Sequence, residues 1–267
     1  MPDVFANITN VPPAMLDVVA KVLETRAAMP SQQQMIAAYL GEIDFPKNAR
    51  VLEAGCGTGP ICRMLASLPN VGEVTGVDPS EHFLAKAREL SPKSARINYQ
   101  VGDGKALSFE SASFDVVILH TLLTHVPGPE VILAEARRVL QAGGWLGVCD
   151  GDFSTATLRI ADPDPLQACC DAFVDNFVTD RYMVRKMSML VQAAGFKVQP
   201  LRSYGLVETL SPGLTMSWID RGADAMAQCG TISGTLADAL KAEGRARAER
   251  GGFFGYMAYA SLVARKP

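Results

Sequence analysis

Residues 50–60 read RVLEAGCGTGP. Val51 and Leu52 make a short buried strand, Glu53 closes it, three glycines follow in five positions, and Pro60 opens a helix. Gly55, Gly57 and Gly59 admit backbone angles and close approaches that a Cβ would forbid. Pro60 suits a first helical position, where its missing N–H costs nothing. Strand, glycine turn and helix in that order form a cradle for a nucleoside-like ligand at the carboxyl edge of a parallel sheet. The dinucleotide fingerprint carries glycine or alanine where this chain has Pro60, for close helix–strand packing, so the proline argues against an NAD or FAD site.

Outward from this stretch, strands and helices alternate. Strands are expected near 50–54, 73–78, 97–101, 114–119 and 144–150, with helices at 60–68, 80–90, 130–140 and 182–194. Residues 196–202 and 253–265 add two further strands. Such alternation demands a parallel sheet with right-handed crossovers. Ahead of it, 14–29 and 31–43 read as two helices broken at Met29-Pro30-Ser31, with Met15, Val18, Val19 and Val22, then Met35, Ile36, Tyr39 and Leu40, at helical spacing. They cap the sheet edge, wall a pocket, or do both. Residues 152–181 read as a loop with an inserted helix, and 205–250 as a helical insertion, since a structureless loop of that length is uncommon.

With 267 residues, 48% of them hydrophobic, the chain can bury a full core, and one α/β domain with insertions is the natural count. A net charge of −3 without a basic face gives no sign of nucleic acid as a partner. Lys241, Arg245, Arg247 and Arg250 alternate with Glu243 and Glu249, as on a solvated helix face. The six cysteines show no zinc-site or secreted-framework spacing, so reduced thiols and a cytoplasmic location are expected. The first residues lack the pattern of a signal peptide, and no apolar run is long enough to span a membrane.

Two more signals carry chemistry. EVTGVDPS, 73–80, is an apolar strand ending in Asp78, a carboxylate placed to accept from both hydroxyls of a ribose held across the sheet edge. Ser80 can cap the following helix, which frees Asp78. Then come Gly102-Asp103-Gly104, Leu107-Ser108-Phe109, Ser113-Phe114-Asp115 and His125-Val126. With the E-x-G-x-G-x-G turn, these resemble the class I S-adenosylmethionine-dependent methyltransferases of the ubiquinone/menaquinone-biosynthesis type. Gly104 and Ser108 depart from that pattern, which has alanine and proline there. The resemblance continues through EARRVLQAGGWLGVCD, 135–150, and covers roughly 48–150, with RKMSMLVQAAGF and the final strand besides.

The resemblance implies a Rossmann-like doubly wound α/β sheet of seven strands, the last antiparallel and lying between those at 114–119 and 196–202. The core would be about 44–150 plus 182–202 and 253–267 of a single domain, with cap or lid segments 1–43, 152–181 and 205–250. It also implies S-adenosyl-L-methionine as cofactor. Glu53 and the backbone of Gly55, Cys56 and Gly57 would face its methionine part, and Asp78 its ribose. The loop Gly102, Asp103 and Gly104 would meet the adenine, with Asp103 accepting from its amino group and Pro79 and Leu107 sandwiching the ring. His120 and Thr121 would lie beside the sulfonium, while Asp115 would tie down the start of its strand.

His120 and His125 are the candidate catalytic residues, because imidazole is best suited to take a proton near neutral pH; for each, packing or loop anchoring is the alternative, and His82 is given no role. Methyl transfer from a sulfonium needs alignment in a dry, apolar pocket more than acid–base help. Met35, Tyr39, Phe153, Phe173, Phe177, Met216 and Trp218 are the candidate walls. The reading is methyl transfer to a small apolar or aromatic acceptor, with no metal. Two alternatives stay open: a protein that binds S-adenosylmethionine without transferring its methyl, and a nicotinamide oxidoreductase. The insertion 205–250 is either a lid or a homodimer interface.

Overall fold

In the computed structural model, which describes residues 3–210 and 212–267, the glycine cradle leaves the middle strand of a mixed sheet. β1 (Ala49–Ala54) lies between β2 (Val71–Asp78) and β4 (Phe114–His120); β3 (Ile97–Val101) lies outside β2, and β5 (Leu140–Thr157) outside β4. These pairings are parallel, so the carboxyl ends of β1 to β4 share one edge. Val51, Val116 and Ile118 point into one core and Leu52, Val117 and Leu119 into the other. The two-residue period with both faces buried is that of a doubly wound sheet. The crossover helices α3 (Pro60–Ala66) and α4 (Glu81–Leu90) cover the first face. The second is covered by α5 (Pro129–Val139) and α7 (Met183–Ala193).

The far edge departs from expectation. The last strand, β8 (Gly255–Arg265), is antiparallel and internal as expected, but its neighbour is β5, not β4. Both edges of β4 are already taken, by β1 and β5. The strand expected at 196–202 is two strands, β6 (Lys197–Val198) and β7 (Arg202–Glu208), both paired with β8. Pro200 falls between them and has no N–H to give a ladder. The described residues therefore form eight strands rather than seven. The strand expected at 144–150 spans 140–157; Gly143, with φ of 74°, lies in the bulge where its register against β4 shifts.

The helical insertions form as expected, once β5 and β7 have claimed 152–157 and 205–208. They are α6 (Pro165–Phe177), α8 (Leu214–Gln228) and α9 (Gly234–Glu249). Buried Glu208, ending β7, accepts from the amides of Gly213, Leu214 and Thr215 at 2.8, 3.2 and 2.6 Å. A carboxylate on the free N–H groups of a helix start satisfies donors and the dipole together. That bond aims α8 across the sheet edge toward α6. There Gly222 meets the α6 backbone, and a Cβ would overlap the carbonyl oxygen of Cys169. Gly222→Ala is expected to lower stability by about 2–3 kcal/mol through this overpacking. Thermal or denaturant unfolding checks it; an unchanged midpoint contradicts the contact.

Candidate active site

The carboxyl edge of β1, β2 and β4 opens into a cleft. It holds about 1010 Å³ of empty space, counting the open solvent at its mouth. Glu53, Gly55, Cys56, Gly57, Asp78 and Pro79 line it, and so do Asp103, Gly104, His120, Thr121 and His125. Two expected residues do not: the Leu107 side chain turns into the core beneath α5, and Gly102 lies behind the edge, its N–H donating to the Asp78 carbonyl at 3.2 Å. Phe83 and Ile132 join Pro79 in the cleft instead.

The cradle is built by backbone that only glycine tolerates well. Gly55 has φ of 74°, and a Cβ on it would stand 2.7 Å from Leu122. Asp78 then locks the loop: Oδ2 accepts from the Gly57 amide at 2.8 Å and Oδ1 from the Ser80 amide at 2.9 Å. Ser80 caps α4 with its own side chain, accepting from Phe83 N. Burial pushes the Asp78 carboxyl up to about 6, although both amides oppose the shift. Glu53 is buried more deeply, with the Cys62 thiol donating to it at 2.9 Å, and burial raises it to about 8.

At the end of β4, Nδ1 of His120 is 3.1 Å from the Tyr39 hydroxyl. Burial, then the nearby Arg26 charge, lower the imidazole to about 3, so His120 is neutral at physiological pH. Thr121 turns the chain with φ of 51°, and its Oγ1 accepts from Arg26 at 3.0 Å. His125 ends a single 3₁₀ turn, Leu123–His125, held by buried Asp150, which accepts from the Thr124 amide. Asp3 accepts from His125 Nδ1 at 2.8 Å and also from Thr179. Burial raises the Asp3 carboxyl, but the His125 bond and charge, Thr179 and the Phe5 amide outweigh it and leave the group below its ordinary range.

A second cavity adjoins the cleft, and Phe5, Leu23, Arg26 and His125 line both. Of the expected walls, Phe153, Phe173, Phe177 and Trp218 line this second cavity. Trp218 stacks on Phe173 with centroids 5.6 Å apart. Met35 and Tyr39 are instead core, and Met216 packs at the α8–α9 contact near Gly244. On α1 (Pro13–Ala28), Met15 and Val18 are exposed yet line the second cavity, so this helix walls a pocket; on α2 (Pro30–Leu40), Met35, Tyr39 and Leu40 cap the sheet while Gln32 and Ile36 line the cleft, so this helix does both. Asp115 accepts from the Arg50 amide at 2.8 Å, the structural tie expected of it, and His82 pairs with Asp17.

Sequence reading missed Asp3, Arg26, Gln32, Asp150 and Arg221. Arg26 had a faint signal, lying four and seven residues after Val22 and Val19 on one helix face.

Residues 52–148 match the model of a methyltransferase domain. Over this stretch the chain is similar to that family. A relative from Synechocystis, named as a 2-methyl-6-phytyl-1,4-hydroquinone methyltransferase, is 38% identical over 42% of this chain and 36% of its own length. The chain spans about half, or less, of the curated relatives it matches. Two solved structures share the fold. A Haemonchus contortus phosphoethanolamine N-methyltransferase, bound to S-adenosylhomocysteine, has a TM-score of 0.58 at 19% identity over 98% of this chain and 59% of that one. The [4+2]-cyclase SpnF has 0.58 at 21% over 100% and 98%.

The buried Glu53 ties stability to pH with a definite sign. Its folded value, near 8, lies above the unfolded 4.5, so the folded chain binds the extra proton. Stability from this group is complete below about pH 4.5 and is lost as pH rises toward 8, at up to about 1.4 kcal/mol per unit. Glu53→Gln should remove that slope. Denaturant unfolding at pH 5 and pH 8 is expected to show the variant gaining at least ~2 kcal/mol on wild type across the interval; parallel curves contradict the assignment.

Proposed function

We propose that the protein is an S-adenosylmethionine-dependent methyltransferase acting on a small organic acceptor with an apolar or aromatic body. The observation that carries this reading is the neck: a cofactor-type cleft and an aromatic cavity meet at Phe5, Leu23, Arg26 and His125. The name of the Synechocystis relative, with its hydroquinone, supports an aromatic acceptor.

The residues present fit the cofactor. The Gly55 turn leaves a hollow at the strand end that a side chain would fill against Leu122. Gln32 lines the cleft with its Oε1 buried and without a partner among the described residues, an acceptor placed for an ammonium group. Each Asp78 oxygen accepts one amide and keeps a lone pair for a ribose hydroxyl. S-adenosylmethionine supplies an already activated methyl on a sulfonium; the chain's residues align the partners and exclude water. His120, neutral and bonded to Tyr39, holds position. His125 is the group to take a proton from the acceptor: Asp3 holds Nδ1, which leaves Nε2 for the neck. The chain works in this reading as one domain, with 1–43, 152–181 and 205–250 as its cap. A reducing cytoplasm suits it, because oxidising Cys62 would strip buried Glu53 of its donor.

Incubation with methyl-labelled S-adenosylmethionine and a metabolite extract should give one labelled product and an equivalent of S-adenosylhomocysteine. His125→Gln should slow its formation about 100-fold or more. Consumption of a metabolite with no label transferred would favour a rearrangement or cyclisation catalyst on this scaffold.

Asp78 makes cofactor binding pH-dependent. The carboxylate, not the acid, accepts from both hydroxyls, and the group is about a tenth ionised at pH 5 if its midpoint is about 6. S-adenosylhomocysteine should therefore bind up to about tenfold tighter at pH 7 than at pH 5. Asp78→Asn should flatten that dependence in calorimetric titration; an unaltered slope contradicts the ribose role.

A further inference from the structure

The second cavity contains a cation that the reading so far leaves without a task. Leu214, Ser217, Trp218 and Arg221 follow one another at helical spacing along α8 and all face it. The Arg221 guanidinium carbon stands 4.1 Å from the Phe177 ring centroid and 4.9 Å from that of Phe173. Among the described residues no carboxylate lies within ion-pair distance of it, and no hydrogen bond engages it. The carboxylate whose charge it feels, Asp3, is already held by His125, Thr179 and the Phe5 amide. The cavity lining includes Arg26 and Arg221 and neither Asp nor Glu.

A cation in apolar surroundings is costly unless something compensates it. Burial lowers Arg221 to about 10, which leaves it charged at neutral pH. Two aromatic faces return part of that cost, but ring faces do not use the planar fork of N–H donors, whose best partner is a carboxylate or phosphate. Ser217 does not fill the gap, since its hydroxyl donates to the Leu214 carbonyl at 2.6 Å. Arg26 lines both cavities and donates to Thr121, whereas Arg221 lines the second alone. The uncompensated charge thus sits away from the cofactor cleft, in the part of the pocket left for the acceptor.

We propose that the acceptor is an amphipathic anion, an aromatic or apolar body bearing a carboxylate or phosphate that Arg221 receives while Phe153, Phe173 and Trp218 pack the body. This proposal rests on the methyltransferase reading of the neighbouring cleft. It makes Arg221 a specificity residue, fixing which end of the acceptor enters and so which atom is presented at the neck.

The test compares matched probes on the full chain saturated with S-adenosylhomocysteine: aryl carboxylates and aryl phosphates, each beside its uncharged amide or ester. In calorimetric titration at least one anion should bind tenfold or more tighter than its neutral match, and whichever class does so names the headgroup. Arg221→Gln should abolish that preference and leave S-adenosylhomocysteine affinity unchanged, which also shows that the variant is folded. Arg221→Lys, charged but without the fork, should keep a reduced preference. Absence of any anion preference in wild type, or its survival in Arg221→Gln, overturns the proposal. Failure of wild type to bind S-adenosylhomocysteine would instead sink the reading of the cleft on which it rests.

Discussion

The buried carboxylate of Asp78 is the joint on which the cleft depends. One oxygen takes the Gly57 amide from the loop after β1 and the other takes the Ser80 amide that opens α4. Two strands are thereby fixed at their carboxyl ends by one side chain, and the glycine turn between them keeps its shape. Such buried, charge-assisted bonds are stronger than neutral ones, but they bind a charge that burial disfavours. A raised Asp78 is the visible consequence of that tension. The same arrangement leaves each oxygen a lone pair beside the cleft, so the group that holds the cradle is also placed to accept from a ligand there.

The segments outside the sheet motifs are tied to this joint rather than merely laid over it. Glu24 on α1 accepts from Thr58, inside the glycine loop, and from Arg63 on α3, both at 2.6 Å. Arg26, two residues on, reaches Thr121 at the end of β4. Asp3 bonds His125 and Thr179, joining the chain's start, the loop after β4 and the segment after α6. Glu208 aims α8 over the remaining side. These segments and the glycine loop therefore share polar contacts. A site enclosed in this way strengthens the electrostatics inside it by excluding water.

Much of this was legible in the chain because local chemistry dictates it. The glycines, Pro60, the acidic strand ends and the Ser80 cap each follow from backbone geometry within a few residues, and they placed β1 to β4 and most of the cleft. What failed did so for non-local reasons. Pro200 breaks a strand that apolar pattern alone would run through. The neighbour of β8 depends on which edges are already taken, which no window of sequence records. Leu107 occupies the core because α5 covers it. Asp3 and His125 are 122 residues apart, and Arg221 matters only because α6 and α8 cross where Gly222 lets them. Such residues look like ordinary surface charges until the fold assembles them.

The most direct measurement of the central claim is a crystal structure of the full chain with S-adenosylhomocysteine. The ribose hydroxyls are predicted to lie within hydrogen-bond distance of the two Asp78 oxygens. The sulfur should face the neck formed by Phe5, Leu23, Arg26 and His125, with the aromatic cavity beyond it left free. A ligand bound with its ribose away from Asp78, or with its sulfur turned from that neck, would contradict the account.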